Sequence, residues 1–248
     1  MSGACHTVAM NPVNLSSCLA ALFPAGVIAA DLRGPGDPAL LMPEEAANLG
    51  SAVPRRVQEF AAGRLCARRA LAEFGMLDFP IRVGGDRQPL WPDLMAGSIT
   101  HTSGFCAAVV AERRCAAGLG LDSEVVGDIK PEIWPRICGP QESDWVRSLP
   151  VPEQAAAVTL IFAAKEAFYK CQYPMVRERL SFPDARIEVA GWGGSGAVFN
   201  IHATRDLAIA RHATLPLRGR YLFHEGLVST GVALAGASGS RAAADAAQ

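Results

Sequence analysis

Lysine is nearly absent from this chain. Of 23 basic residues in 248, only Lys130, Lys165 and Lys170 are lysines, and the others are arginines. No C-x-x-C pair occurs, and the cysteine count, 7, is odd. A disulfide framework and a thiolate zinc site are therefore not expected, and reduced thiols in a cytoplasmic setting are. No run of about twenty apolar residues occurs, so no membrane span is expected. Residues 15–32 are fairly apolar, yet Pro24 and Gly26 interrupt them. No Lys or Arg precedes Arg33, so they lack the basic start of a secretory signal. A net charge of −1 gives no bulk attraction to nucleic acid or to an acidic membrane.

What is present reads as a soluble globular chain. Half of the residues are hydrophobic and 19% are charged. The length suits one large domain or two small ones. Residues 27–32 could form a strand before the Gly/Pro-rich loop at 34–38, and Pro43-Glu44-Glu45 looks like a helix start. Residues 55–74 carry helical periodicity, with Gly75 as the stop. Along that helix, Arg56, Phe60, Arg64 and Arg68 recur every four residues. Arginines so spaced repel one another unless acids or an anionic ligand lie along them. Residues 84–92 are turn-rich. Two strands follow, the second (105–111) apolar throughout and hence central. His101 lies at the approach to it, among hydroxyl residues.

Residues 118–122 predict another strand, and it delivers Asp122 and Glu124. Residues i and i+2 of a strand share a face, so the two carboxylates aim together. Either this is a strand ending in a solvated acidic turn, or a hard cation such as Mg²⁺ sits between them. Residues 125–150 read as a proline-broken, aromatic-rich loop, either a cap on the core or a surface for a partner. Residues 152–173 predict the second long helix. In it Glu166 and Lys170 stand four apart on one face, either as an ordinary helix ion pair or as paired catalytic groups. Strands are expected at 185–190, 197–203, 219–224 and 227–234, with a Gly-rich turn at 191–196 and a flexible tail from 236 to 248.

Four blocks then fall into one order: Glu59-Phe60-Ala61-Ala62-Gly63-Arg64, Pro89-Leu90-Trp91-Pro92 leading into Gly97-Ser98-Ile99-Thr100-His101, Gly120-Leu121-Asp122-Ser123-Glu124, and Lys165-Glu166-Ala167-Phe168-Tyr169-Lys170. Together they resemble the 4'-phosphopantetheinyl transferase superfamily, and most of all the branch that serves siderophore, nonribosomal peptide and polyketide carrier proteins. The resemblance covers roughly residues 50–235. It departs in small ways: position 121 is Leu where Ile or Val is commoner, and Phe162-Ala163-Ala164 stands where relatives often carry a tryptophan.

The resemblance implies an α+β fold of two similar halves, residues 1–113 and 114–235. Each half would be a long helix packed on a small, mostly antiparallel sheet, and the active site would lie in the cleft between them. It implies transfer of 4'-phosphopantetheine from coenzyme A to a serine of an apo acyl or peptidyl carrier protein, with release of 3',5'-ADP and with Mg²⁺ (Mn²⁺ as an alternative) as cofactor. Asp122, Glu124 and Glu166 are then the expected metal ligands, Glu166 also the expected base, and Lys170 a phosphate and leaving-group contact. Arg56, Arg64, Arg87, Ser98, His101 and Lys165 are expected to bind the coenzyme A phosphates. A monomer is expected, with the carrier docking near residues 125–150. Two other readings remain: a non-catalytic coenzyme A or carrier-binding module, and a Mg²⁺-dependent nucleotide pyrophosphatase that uses water in place of serine.

Overall fold

The computed structural model describes residues 13–236, apart from 16, 48, 194–196 and 214. The expected tail beyond 236 and residues 194–196 of the expected 191–196 turn lie outside the described residues. The first half holds strand β1 (Ile28–Arg33), helices α1 (Pro43–Ala46) and α2 (Pro54–Ala72), a two-residue ladder of β2 (Arg82–Val83) with β3 (Pro89–Leu90), and strands β4 (Met95–Thr102) and β5 (Phe105–Glu112). Its sheet runs β1-β5-β4 and is antiparallel throughout. The all-apolar β5 is the central strand, as its composition dictates. Cys106, Ala108 and Val110 face α2, while Phe105, Ala107, Val109 and Ala111 face the other way, onto the second half.

The second half holds β6 (Ala116–Val125), α3 (Trp134–Ile137), α4 (Pro140–Ser148), α5 (Val151–Val176), and strands β7 (Ala185–Ala190), β8 (Val198–Ala203), β9 (Leu217–His224) and β10 (Leu227–Ala235). Its antiparallel sheet runs β6-β10-β9-β8-β7. The helix α5, about 40 Å long at 1.5 Å per residue, crosses this sheet, and its buried residues form the main core with α3, α4 and the strands.

The loop expected at 125–150 is corrected by the structure. It is largely helical, because its prolines sit where helices begin. Pro131 opens a 3-10 turn, Pro135 is the second residue of α3, and Pro140 is the first of α4. A proline there gives up an N–H that has no intrahelical partner anyway. Ile137 is buried, and Ile129, Trp134 and Trp145 pack on the core. Of the two readings of this stretch, capping the core describes most of its apolar side chains. Ile133 alone among them stays 43% exposed. The long helix also runs past its expected end at 173. Pro174 lies inside its last turn, and Arg177 closes it in the left-handed region at φ 55°.

Candidate active site between the two halves

The strand β6 is where the two halves meet. Its Gly118 and Gly120 let α5 lie directly on the strand backbone. A Cβ at Gly120 would stand 1.8 Å from the Ala167 carbonyl oxygen, and one at Gly118 2.8 Å from that of Cys171. Only glycine permits this approach, and it sets α5 down beside Asp122 and Glu124. On its other side β6 meets β4, which belongs to the other sheet. Side chains stand in for the missing ladder there. The Leu121 amide donates to Ser98 Oγ at 3.0 Å, and the Ser123 amide to Thr100 Oγ1 at 3.0 Å.

The carboxylate cluster sits on this seam. Asp122 is buried. Its Oδ1 accepts from Lys170 Nζ at 2.6 Å and from Thr100 Oγ1 at 3.3 Å. Lys170 Nζ also reaches the Leu121 carbonyl at 3.2 Å. Glu124 accepts from Thr102 Oγ1 at 3.5 Å. Ser123, between the two acids, points away and shares a 2.7 Å hydrogen bond with Ser229. Burial raises the Asp122 carboxyl, with Lys170 and Thr100 opposing. Burial and then the nearby Asp122 push Glu124 up to about 7. Burial and then Asp122 also raise Glu166. A divalent cation among the three acids would oppose this rise, because a nearby positive charge favours the charged form.

The residues fit a hard divalent cation. Asp122 Oδ2 is buried without a hydrogen-bond partner, Glu124 and Glu166 are within electrostatic reach of it, and all three offer oxygen. Among the described residues, no group of three or more His, Cys, Asp or Glu side chains is placed to hold a metal ion by itself. A cation here therefore needs further oxygens from substrate and water, which is the usual situation for Mg²⁺.

Beside the cluster lies a cavity of about 260 Å³ whose lining includes Arg56, Arg64, Arg87, Ser98, His101 and Lys170. Arg56 Nη1 donates to His101 Nε2 at 2.7 Å. The imidazole is thus the acceptor there, and burial and then Arg56 hold it below the usual histidine range. Arg64 is buried, packs over the Phe60 ring at 3.9 Å, and spends its Nε on the Ile81 carbonyl at 3.0 Å. Burial holds its guanidinium down to about 10. Arg87 is exposed, in a turn at φ 67°. A second cavity, of about 590 Å³, is lined in part by Ile133, Arg136, Glu166, Tyr169, Leu180 and Phe182.

Nine of the ten expected site residues gather around this seam and its cavity. Lys165 is the exception, and the expectation that it binds phosphate is corrected. Its ammonium is buried and faces α3 and α4, where it donates to the Ile137 carbonyl at 2.7 Å, Glu142 Oε2 at 2.8 Å and the Phe182 carbonyl at 3.0 Å. All three of its donors are used. Ser98 does line the cavity, but its oxygen already holds the Leu121 amide. Arg68, the last member of the arginine stripe, pairs with the buried Glu45 and reaches the Leu40 carbonyl, so that end of the stripe is structural. Thr102 was not expected. Ser98, Thr100 and Thr102 alternate along β4, and that period of two is the signal that puts all three hydroxyls on the face toward β6.

Comparison with known proteins agrees with this arrangement. Residues 44–111 match the family model of the 4'-phosphopantetheinyl transferase N-terminal domain, and residues 118–221 that of the 4'-phosphopantetheinyl transferase superfamily. The chain is 35% identical to the 4'-phosphopantetheinyl transferase Svp of Streptomyces mobaraensis, over 90% of this chain and 91% of that one. It is 34% identical to the 4'-phosphopantetheinyl transferase PptT of Mycobacterium tuberculosis, over 78% and 86%. It is 38% identical to enterobactin synthase component D of Salmonella typhi, over 49% and 50%. The two models between them cover most of the chain, and they abut at the β5–β6 junction. The chain belongs to the 4'-phosphopantetheinyl transferase superfamily.

Proposed function

We propose that this protein transfers the 4'-phosphopantetheine group of coenzyme A to a serine of an apo carrier protein and releases 3',5'-ADP. The observation that carries the reading is the orphaned Oδ2 of Asp122. It lies in a three-carboxylate cluster held by Lys170, beside a cavity rimmed by arginines and a histidine. Carboxylates and cations side by side suit a pyrophosphate that needs both a metal and direct charge neutralisation.

Arg56, Arg64 and Arg87 bind the nucleotide phosphates, and His101 donates to one of them once Arg56 turns from its ring to the ligand. Asp122 and Glu124 would hold Mg²⁺, with Glu166 completing the set directly or through water. A bound Mg²⁺ would neutralise charge on the pyrophosphate oxygens. The Glu166 carboxylate has no hydrogen-bond partner among the described residues and lines the 590 Å³ cavity. It takes the proton of the carrier serine as that oxygen attacks the phosphorus bearing the pantetheine arm. The bond from that phosphorus to the bridging oxygen breaks, and Lys170 steadies the charge left on 3',5'-ADP. The carrier docks over the 590 Å³ cavity, where Ile133 offers an apolar contact and Arg136 a cation for an acidic helix. Carriers of siderophore, nonribosomal peptide and polyketide assembly are the expected substrates, and a cytoplasmic monomer the expected form. Among the described residues no helix is long and apolar enough to cross a membrane.

Intact mass spectrometry tests the reading. Apo carrier, coenzyme A and Mg²⁺ should give a carrier heavier by one phosphopantetheine group. Glu166→Gln should abolish that gain in a folded protein. No gain across several acyl and peptidyl carriers would sink the proposal, and 3',5'-ADP released without any carrier would assign a pyrophosphatase.

A further inference from the structure

The cavity between the halves has two carboxylates, Glu59 and Asp86, where an anionic ligand would not welcome them; Glu59 is paired within its own helix, with Arg55 and Arg56. Asp86, on the 84–88 turn, lines it next to Arg87. Its Oδ1 pairs with Arg179 Nη2 at 3.2 Å, and its Oδ2 stands 4.0 Å from Arg177 Nη1. Both arginines follow the end of α5, in the other half of the molecule. The contact therefore crosses the cleft.

Both sides of this contact are set in advance. The turn is closed by the Gly84 amide on the Gln88 carbonyl at 2.8 Å and the Arg87 amide on the Gly84 carbonyl at 3.0 Å. The Gln88 side chain accepts from the Asp86 amide at 3.0 Å. Arg87, beside Asp86, and Arg177 both hold left-handed backbone, at φ 67° and 55°. Such strain persists only where the surroundings over-determine it, and it clusters at ligand clamps. Arg177 also lies over the Tyr173 ring at 5.6 Å, and Tyr173 and Pro174 line the same cavity. Along the axis of α5, Arg177 is about 10 Å beyond Lys170 at 1.5 Å per residue. The contact is thus remote from the reacting phosphorus and close to where the nucleoside end of coenzyme A has to lie.

We propose that Asp86, by pairing with Arg177 and Arg179 across the cleft, clasps the 84–88 turn to the end of α5 and holds the nucleotide end of the cavity in its binding shape. The inference rests on the transferase reading of the same cavity. Asp86 is a positioning residue: its own charge opposes phosphate, and its service is to fix Arg87 and the Tyr173 wall against each other. The clasp acts on substrate binding and not on the chemical step.

The test uses Asp86→Asn, the pair Arg177→Gln with Arg179→Gln, and all three together. KM for coenzyme A, kcat with saturating carrier, and calorimetric affinity for 3',5'-ADP are read for each. Exposed ion pairs are individually weak, so Asp86→Asn should raise KM about threefold to fivefold. It should weaken 3',5'-ADP by the same factor and leave kcat within about twofold. The triple variant should be no worse than the arginine pair, because one contact has been removed twice. Unchanged or tighter binding by Asp86→Asn, a fall in kcat alone, or losses that multiply in the triple variant would overturn the clasp. Wild-type protein that binds neither coenzyme A nor 3',5'-ADP would instead overturn the functional reading beneath it.

Discussion

Lys165 and Lys170 are five residues apart on one helix and do opposite jobs. Lys170 reaches the buried Asp122 beside the cavity. Lys165 is locked to Glu142, whose Oε1 accepts the Ile187 amide at 2.7 Å and whose Oε2 accepts the Gly139 amide at 2.6 Å. One buried pair thereby joins α4, α5 and β7. Losing one partner strands a buried charge, so Lys165→Ala should destabilise the protein by about 3–5 kcal/mol. Lys165→Met combined with Glu142→Gln should cost less than that single change. Urea midpoints, with transferase activity per folded molecule, check both. Activity that fell with no change in midpoint would return Lys165 to the phosphate site. The Asp122/Glu124 and Glu166/Lys170 spacings were legible in the sequence because each fixes a shared face. The direction of Lys165 was not. From Ala157 to Tyr173 the half-buried residues of α5 are Phe162, Glu166, Tyr169 and Lys170, on one face, and Lys165 lies one step round from it, where a single lysine does not show which way it turns.

Two elements, β6 and α5, make the site by touching. Their contact is backbone against backbone at Gly120, the tightest approach at any glycine among the described residues. Gly120→Ala should destabilise by about 3 kcal/mol or more, toward the upper end for an overpacked core. Gly118→Ala, with its looser 2.8 Å approach, should cost less. Thermal unfolding of the two variants orders them, and equal losses would contradict the close packing of strand and helix. At the far end of the same half, Arg205 bonds Asp184 at 2.9 Å and Glu178 at 2.7 Å. That contact, with the Ser181 amide and hydroxyl, holds Asp184 down to about 2. A depressed carboxyl adds stability above its unfolded value near 4, and the gain is lost as pH falls toward 2. Arg205 is exposed and Asp184 half-buried, so water screens the pair and keeps the gain small. Arg205→Ala should therefore flatten the loss of stability between about pH 4 and pH 2, read as the pH dependence of the urea midpoint. At this scale most strands were legible from their apolar runs and turns. The stretch 125–150 was not, because a proline reads as a break until its place in the first turn of a helix is known.

The molecule as a whole divides by sheet but not by core. Leu19, Leu22 and Phe23, which precede β1, pack with Ala29 of β1 and with Phe105, Ala107 and Val109 of β5. The same cluster takes in Leu119 and Leu121 of β6 and Leu227 of β10. The hydroxyls of β4 complete the hydrogen bonding of β6, and Arg33 pairs with Glu225 at 2.6 Å across the two halves. Pulling the halves apart would bare this middle layer and exchange the hydrogen bonds of the Leu121 and Ser123 amides for bonds to water, a net loss of about 0.5–1.5 kcal/mol for each. The two-half pattern in the sequence points to a cleft. Leu19, Leu22 and Phe23, in a stretch too weakly patterned to place from sequence, show why the halves are not independent: they precede the first strand and pack on residues of both halves. Calorimetry should therefore find one unfolding transition. Coenzyme A with Mg²⁺ should move it upward as a unit, by the linkage between ligand concentration and affinity. Two transitions, or a ligand shift confined to part of the heat, would show that the middle layer does not couple the halves.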